Sequence, residues 1–343
     1  MRAQAEYQPF LELAAEINRR ILADAAPEPN ALVQWIITAA GRLGGDAAQG
    51  AILEWQESLD YFNELMERRK ERAALPESER RELRWAWRTW NQYIDPPDGG
   101  MLAVLAGADG AGKTLYAETQ AESWAKQGFR VAYFHYELNR ALMVDRRASR
   151  AAAVPRRNIK NFDLSGPELE RLAAAEQMLR AFPGEVNYIH SPGWTAERTI
   201  QVARRMVAND KCDVVIIDYL EKVEPSEGVV KRYHSKNQYE AATVEAFKNF
   251  AEMAGIPVLL VSQLNKAGKQ TRSRDIDRTA IRGAGEKTEK ANVVVLISRG
   301  KDEETGDYVN VVDVRIDKNT MGPTGSFQQY MHPEFFRVAD FVD

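Results

Sequence analysis

From residue 101 onward, short aliphatic runs alternate with stretches that carry apolar residues at helical spacing. The runs are MLAVLA (101–106), RVAYFH (130–135), VNYIH (186–190), DVVII (213–217), PVLLVS (257–262), NVVVLIS (292–298) and VNVVDVRI (309–316). Continuous apolar runs bounded by helices predict strands buried on both faces of a mostly parallel sheet, an α/β architecture. The last stretch, GSFQQYMHPEFFRVADF, alternates polar with apolar and predicts a terminal antiparallel hairpin. Upstream the period changes. Phe10, Leu11, Ala14, Ile17 and Ile21, then Ile52, Leu53, Trp55, Leu59, Phe62 and Leu65, recur at helical spacing. Pro27, Pro29 and the GRLGG stretch at 41–45 divide this region into about three helices. A charged segment, 66–84, is interrupted at Pro76, where PESERR predicts a new helix start. The expected division is therefore an acidic helical region with its linker, 1–84, and an α/β domain, 85–343. Trp85, Trp87 and Trp90 open the second part, where packing over the sheet is expected and stacking on nucleotides is the alternative.

Composition changes this picture little. A chain of 343 residues, 44% hydrophobic and 28% charged, can bury a sizeable core. Its one cysteine, Cys212, cannot form an internal disulfide and reads as a buried apolar side chain, which fits a reducing cytoplasm. No run of 18 apolar residues exists, so no membrane span is expected. Charge is more informative. Residues 1–98 hold 12 Lys/Arg against 17 Asp/Glu, while 139–160 carry seven basic residues against one acid and 266–290 eight against four. Such runs are either solvated surface or anion-binding surface.

The chemistry begins at GADGAGKT, directly after the first apolar run and before a helical stretch. Glycines at this spacing let backbone N–H groups wrap phosphates at a helix N-terminus. Gly107, Ala108, Asp109, Gly110, Ala111, Gly112, Lys113, Thr114 and Leu115 are thus the candidate nucleotide-binding residues. Lys113 would reach the β/γ-phosphates and the Thr114 hydroxyl would hold Mg²⁺. Asp218 ends the buried run DVVII, where ligands gather in open α/β sheets, and is the second expected Mg²⁺ ligand. Glu137 follows RVAYFH, and suits either a base that activates water or an acid that satisfies helix-start donors. Gln263 follows PVLLVS, and its amide can hydrogen-bond a γ-phosphate and report its loss to the basic stretch beyond.

Seven segments in this order resemble the RecA-like motor domain of the DnaB-type replicative helicases. They are GADGAGKT, FHYELNRALMVDRRAS, SPGWTAERTIQVARRM, VVIIDYLEKV, IPVLLVSQLNK, AIRGAGEKTEKANVVVLISR and RIDKNTMGPTG, and they cover about residues 85–343. The resemblance implies an ATP-hydrolysing enzyme that assembles as a ring or filament, with a hexamer expected, and acts on single-stranded DNA. It makes Glu137 the general base and Gln263 the γ-phosphate sensor, beside Lys113 as catalytic residues. It also implies that Lys318 reaches a nucleotide bound by the neighbouring subunit. One departure stands out: Thr320 occupies the position where the family's K-x-R element carries its arginine finger. A hydroxyl lacks the guanidinium's bidentate hydrogen bonding. Three outcomes are open: Lys318 does more, Arg315 is recruited, or turnover is slow and ATP serves as an assembly switch.

The family's central-channel loops correspond to 226–245 and 265–287. The DNA-contact candidates are Lys231, Arg232 and Lys236 in the first, and Lys269, Arg272, Arg274 and Arg278 in the second. The leading expectation is a helicase or translocase. Alternatives are a non-unwinding RecA-like switch or recombination accessory, and a catalytically weak paralogue that docks through 1–84 on a replication or mobile-element protein.

Overall fold

The computed structural model describes residues 13–17, 19–21, 32–33, 35–36, 55–76, 82–263, 288–302 and 304–341. The chain divides into two compact units, Met1–Arg80 and Arg81–Asp343, each described here by itself. In the first unit, residues 13–17 and 19–21 are helical, and α1 spans Trp55–Ala74. Glu64–Arg68 and Glu67–Lys70 pairs line α1 at helical spacing. Trp55, Leu59, Phe62 and Met66 on this helix are exposed rather than buried in a core. The expected breaks at Pro27, Pro29 and 41–45 lie outside the described residues. So does most of the helix start expected at Pro76, and residues 82–85 are not helical.

The second unit begins with a short helix α2 (Arg88–Asn91). Strands and helices then alternate: β1 (Leu102–Gly107), α3 (Lys113–Lys126), β2 (Arg130–His135), α4 (Arg140–Ala152), α5 (Arg156–Asn161) and α6 (Gly166–Arg180). There follow β3 (Glu185–His190), α7 (Ala196–Ala208), β4 (Val214–Asp218), α8 (Glu227–Arg232), α9 (Lys236–Ala254) and β5 (Val258–Gln263). The last strands are β6 (Val293–Lys301), β7 (Tyr308–Asn319), β8 (Gly325–His332) and β9 (Arg337–Asp340). They form one sheet of order β3-β2-β4-β5-β1-β6-β7-β8-β9. Neighbours from β3 to β6 pair in parallel, and β7, β8 and β9 add antiparallel strands. The expected α/β fold, parallel sheet and C-terminal hairpin are all present.

The apolar runs became central strands because both sheet faces are covered. Ala103, Leu105, Val214 and Ile216 pack in one core layer, and Leu102, Val104, Val215 and Ile217 in the other. Trp85, Trp87 and Trp90 belong to the first layer and are at most 4% exposed, so packing is their role. Their indole N–H groups donate to the Asp95 carbonyl, the Val338 carbonyl and Gln329 Oε1 at 3.1, 3.0 and 3.1 Å. Cys212 is buried, and burial pushes its thiol up to about 12, so it remains protonated at neutral pH.

A buried ion network joins α4 to α3. Arg150 donates to Glu118 at 2.8 Å and Glu122 at 2.6 Å, and Arg146 lies 3.3 Å from Glu118. One expectation fails. The 226–245 stretch, read as a loop, contains α8 and the first half of α9. Ser235 caps α9 by accepting from the Gln238 N–H at 3.3 Å. Glu240, Thr243, Val244 and Phe247 then bury one helical face, which outweighs the loop-forming composition before it. Among the described residues, no helix is long and apolar enough to cross a membrane.

Candidate nucleotide site

The phosphate loop leaves β1, the strand between β5 and β6, and enters α3. Two of its glycines are required by geometry. Gly110 and Gly112 hold φ of 77° and 95°, where side chains are strained. A Cβ on Gly110 would come within 2.6 Å of the Tyr308 ring, and one on Gly112 would collide with Met331 Cε. The loop borders a cleft of about 550 Å³. Asp109, Gly110, Gly112, Lys113, Thr114 and Leu115 line it from below. Gly107, Ala108 and Ala111 belong to the same turn but do not line the cleft. Lys113 is largely buried and donates to the Ala108 carbonyl at 2.9 Å.

Asp218 ends β4 beneath Thr114, whose hydroxyl donates to Oδ1 at 3.3 Å; Tyr133 donates to Oδ2 at 2.8 Å. Burial pushes the Asp218 carboxyl up to about 6, against the opposing effect of these two hydrogen bonds. Hydroxyl and carboxylate oxygens side by side at a phosphate loop are hard donors that suit Mg²⁺. Among the described residues there is no group of three or more His, Cys, Asp or Glu side chains that could hold a metal without further ligands.

Glu137 and Gln263 enter the same cleft from the ends of β2 and β5. Glu137 is exposed there and does not cap α4; Asn139 does, accepting from the Leu142 N–H at 2.9 Å. Glu221 fixes the end of β5, accepting from the Ser262 hydroxyl at 2.6 Å and from the Gln263 N–H at 3.0 Å. Arg146, Tyr219, Arg299, Met331 and Phe336 also line the cleft, and sequence reasoning had not singled them out. Arg299 had a legible signal, a cation at the carboxyl end of a buried strand beside the phosphate-loop strand. It donates to the Val309 carbonyl at 2.8 Å and to the Gly110 carbonyl at 3.3 Å, and lies 5.3 Å from the Tyr308 ring centroid. Tyr219 shares the place of Asp218 just after β4, while Arg146, Met331 and Phe336 carry no local signal, because they meet only after folding.

The remaining candidates lie elsewhere. Lys318, on β7, pairs with Val294 near the amino end of β6, the end of the strand away from the phosphate loop, and donates to the Thr288 and Glu289 carbonyls at 3.2 and 2.7 Å. Lys231, Arg232 and Lys236 are exposed on α8 and at the start of α9. Each already has an intrachain contact: Lys231 with Glu227 at 3.8 Å, Lys236 with Glu240 at 3.6 Å, and Arg232 over Tyr233 at 5.4 Å. Lys269, Arg272, Arg274 and Arg278 lie outside the described residues.

Residues 88–340 match the model of the DnaB-like helicase C terminal domain. The chain belongs to that family. Among curated DnaB-type relatives, a replicative DNA helicase DnaB of Leifsonia xyli subsp. xyli is 25% identical over 245 residues, covering 71% of this chain and 52% of that protein. The replicative DNA helicase DnaC of Bacillus subtilis is 24% identical over 230 residues, covering 66% and 49%. The chain thus spans about half the length of the curated relatives it matches. Its fold is shared with an ATPase domain of known structure, at TM-score 0.71 and 18% identity, over 84% of this chain and 99% of that one. A DnaB-like replicative helicase studied for its interactions with primase superposes at TM-score 0.76 and 16% identity, over 98% and 76%. The phosphate loop is the candidate site for a nucleotide in this domain.

Proposed function

We propose that this chain is the motor of an oligomeric, ATP-dependent helicase or translocase on single-stranded DNA, with ATP hydrolysed between subunits. The observation that carries this reading is the convergence of Lys113, Thr114, Glu137 and Gln263 on one cleft, with Thr114 hydrogen-bonded to the buried Asp218 behind it. In this reading Lys113 and the loop N–H groups bind the β- and γ-phosphates. Thr114 and Asp218 are the residues that would hold Mg²⁺. That ion, when bound, supplies neutralisation of phosphate charge. Glu137, exposed into the cleft, orients the attacking water and takes its proton. Gln263 senses the γ-phosphate and relays its loss to the basic segment beyond β5.

A site shared between subunits is supported by the position of Lys318. It pairs with Val294, three rungs of β6 short of Ile297, which lies beside Gly107 at the phosphate loop. Three rungs are about 10 Å, on top of the two strand spacings between β1 and β7. Lys318 therefore serves a neighbour's nucleotide in this account. The exposed Lys231, Arg232 and Lys236, with Lys269, Arg272, Arg274 and Arg278, would follow the DNA backbone. Residues 1–84 form the separate region through which a replication protein would dock, and 85–343 the motor. Glu137→Gln tests the assignment. ATP affinity is expected to stay within about threefold while turnover falls by about 10²–10⁴. Unchanged turnover would remove Glu137 from the role.

A further inference from the structure

A second cavity, of about 370 Å³, opens beside the first and shares none of its lining residues. Its volume falls in the range of small-molecule pockets, roughly 300–1,000 Å³. Two periodicities build it. From α4 come Arg140, Met143, Val144 and Arg147, an i, i+3, i+4, i+7 stripe. From the sheet come His135 and His190, in register at the ends of β2 and β3, and Tyr188 on the same face of β3.

The two imidazoles stack, with centroids 5.0 Å apart and planes at 16°. Tyr188 continues the ring wall, and the Arg147 guanidinium lies 5.9 Å from its centroid. Met143 and Val144 make the opposite side apolar. None of the lining residues carries a carboxylate. The acids of neighbouring α3, Glu118 and Glu122, are committed to Arg146 and Arg150. Among the described residues, no carboxylate pairs with Arg140 or Arg147. His135 is 3% exposed, and its buried Nδ1 has no hydrogen-bond partner. The stacked His135 and His190 rings both line the cavity.

Flat rings, an apolar wall and a cationic mouth without acids match an aromatic base joined to a phosphate. We propose that this cavity binds a nucleoside phosphate, its base against the His135–His190–Tyr188 wall and its phosphate at the Arg140 end. Inorganic phosphate alone would leave the rings and the apolar wall unused. The occupant is either a free nucleotide or one residue of a bound strand, which present the same chemistry.

The test titrates AMP into the full chain carrying Lys113→Ala, which disables the main cleft. One equivalent is expected to bind, and adding either Arg140→Glu or His190→Ala weakens it at least tenfold. Both positions are exposed, and an acid in the first turn of α4 favours the helix dipole, so folding is retained. In parallel, oligothymidylate is photo-crosslinked to the wild-type chain and the attached peptides are mapped. Cross-links at Tyr188 or His190 that Arg140→Glu removes, without AMP binding, support the site with a strand as its source. Three results would overturn the proposal: neither ligand engaging the cavity, AMP binding that both substitutions leave unchanged, or inorganic phosphate binding as tightly as AMP.

Discussion

Replacing Asp218 by asparagine separates the cost of a buried charge from its use. Folding raises the Asp218 carboxyl from its ordinary 3.8 to about 6. That displacement corresponds to about 3 kcal/mol by which the ionised side chain disfavours the folded state at pH 8. Because the pKa rises on folding, the stability tied to the protonated form is complete below about pH 4 and is lost as pH rises through about 6. The asparagine side chain has nearly the same shape and no charge. It offers one acceptor where the carboxylate offers two, so one of the bonds from Tyr133 and Thr114 is compromised, at about 1 kcal/mol. In the absence of nucleotide and Mg²⁺, Asp218→Asn is expected to stabilise the protein by about 2 kcal/mol at pH 8, or about 4 °C in Tm. At pH 5 the wild-type penalty has fallen to about half, and the gain shrinks to about 1 °C. The same substitution is expected to abolish Mg²⁺-dependent ATP turnover. Thermal unfolding of both proteins at the two pH values is the assay. A variant less stable than wild type at pH 8, or a gain independent of pH, would refute the reasoning.

Two further substitutions probe the walls of the cleft. Gly112→Ala places a Cβ at φ 95° against Met331 Cε. It is expected to cost about 1–3 kcal/mol in thermal unfolding and at least tenfold in ATP affinity by nucleotide titration. Adding Met331→Ala relieves only the collision. Thr320 is exposed beyond β7 and its N–H donates to the Asn292 carbonyl at 3.0 Å, so an arginine side chain there meets no packing barrier. Arginine fingers are worth about 10³–10⁵ in rate where they are in place. Thr320→Arg is expected to raise turnover of the assembled protein at least tenfold by steady-state ATPase assay, and no gain would argue against a site shared through this strand.

The central sheet was legible because β1, β4 and β5 are covered on both faces and so read as unbroken apolar runs. The edge strand β3 is only partly buried, yet Val186, Tyr188 and Ile189 kept it recognisable. Residues 226–245 were not legible as helices. Their Lys, Ser, Gly and Asn content resembles a loop, and only burial of Thr243, Val244 and Phe247 against the sheet decides otherwise. At the site, Asp218, Glu137 and Gln263 announced themselves because each stands at or just beyond a strand's carboxyl end, and Lys113 and Thr114 because they open α3 directly after the loop that follows β1. Arg146 and Phe336 reach the cleft from elements far apart in the chain, and no local pattern marks them. The stacked His135 and His190 were equally silent, since only their register across β2 and β3 brings them together.

The most direct test of the account is ATP turnover of the full chain titrated with oligothymidylate, with light scattering on the same samples to give the mass of the active species. A multimer whose turnover rises severalfold with single-stranded DNA, and is lost in Lys113→Ala, is the predicted result. A strict monomer that hydrolyses ATP at a rate indifferent to DNA would contradict it.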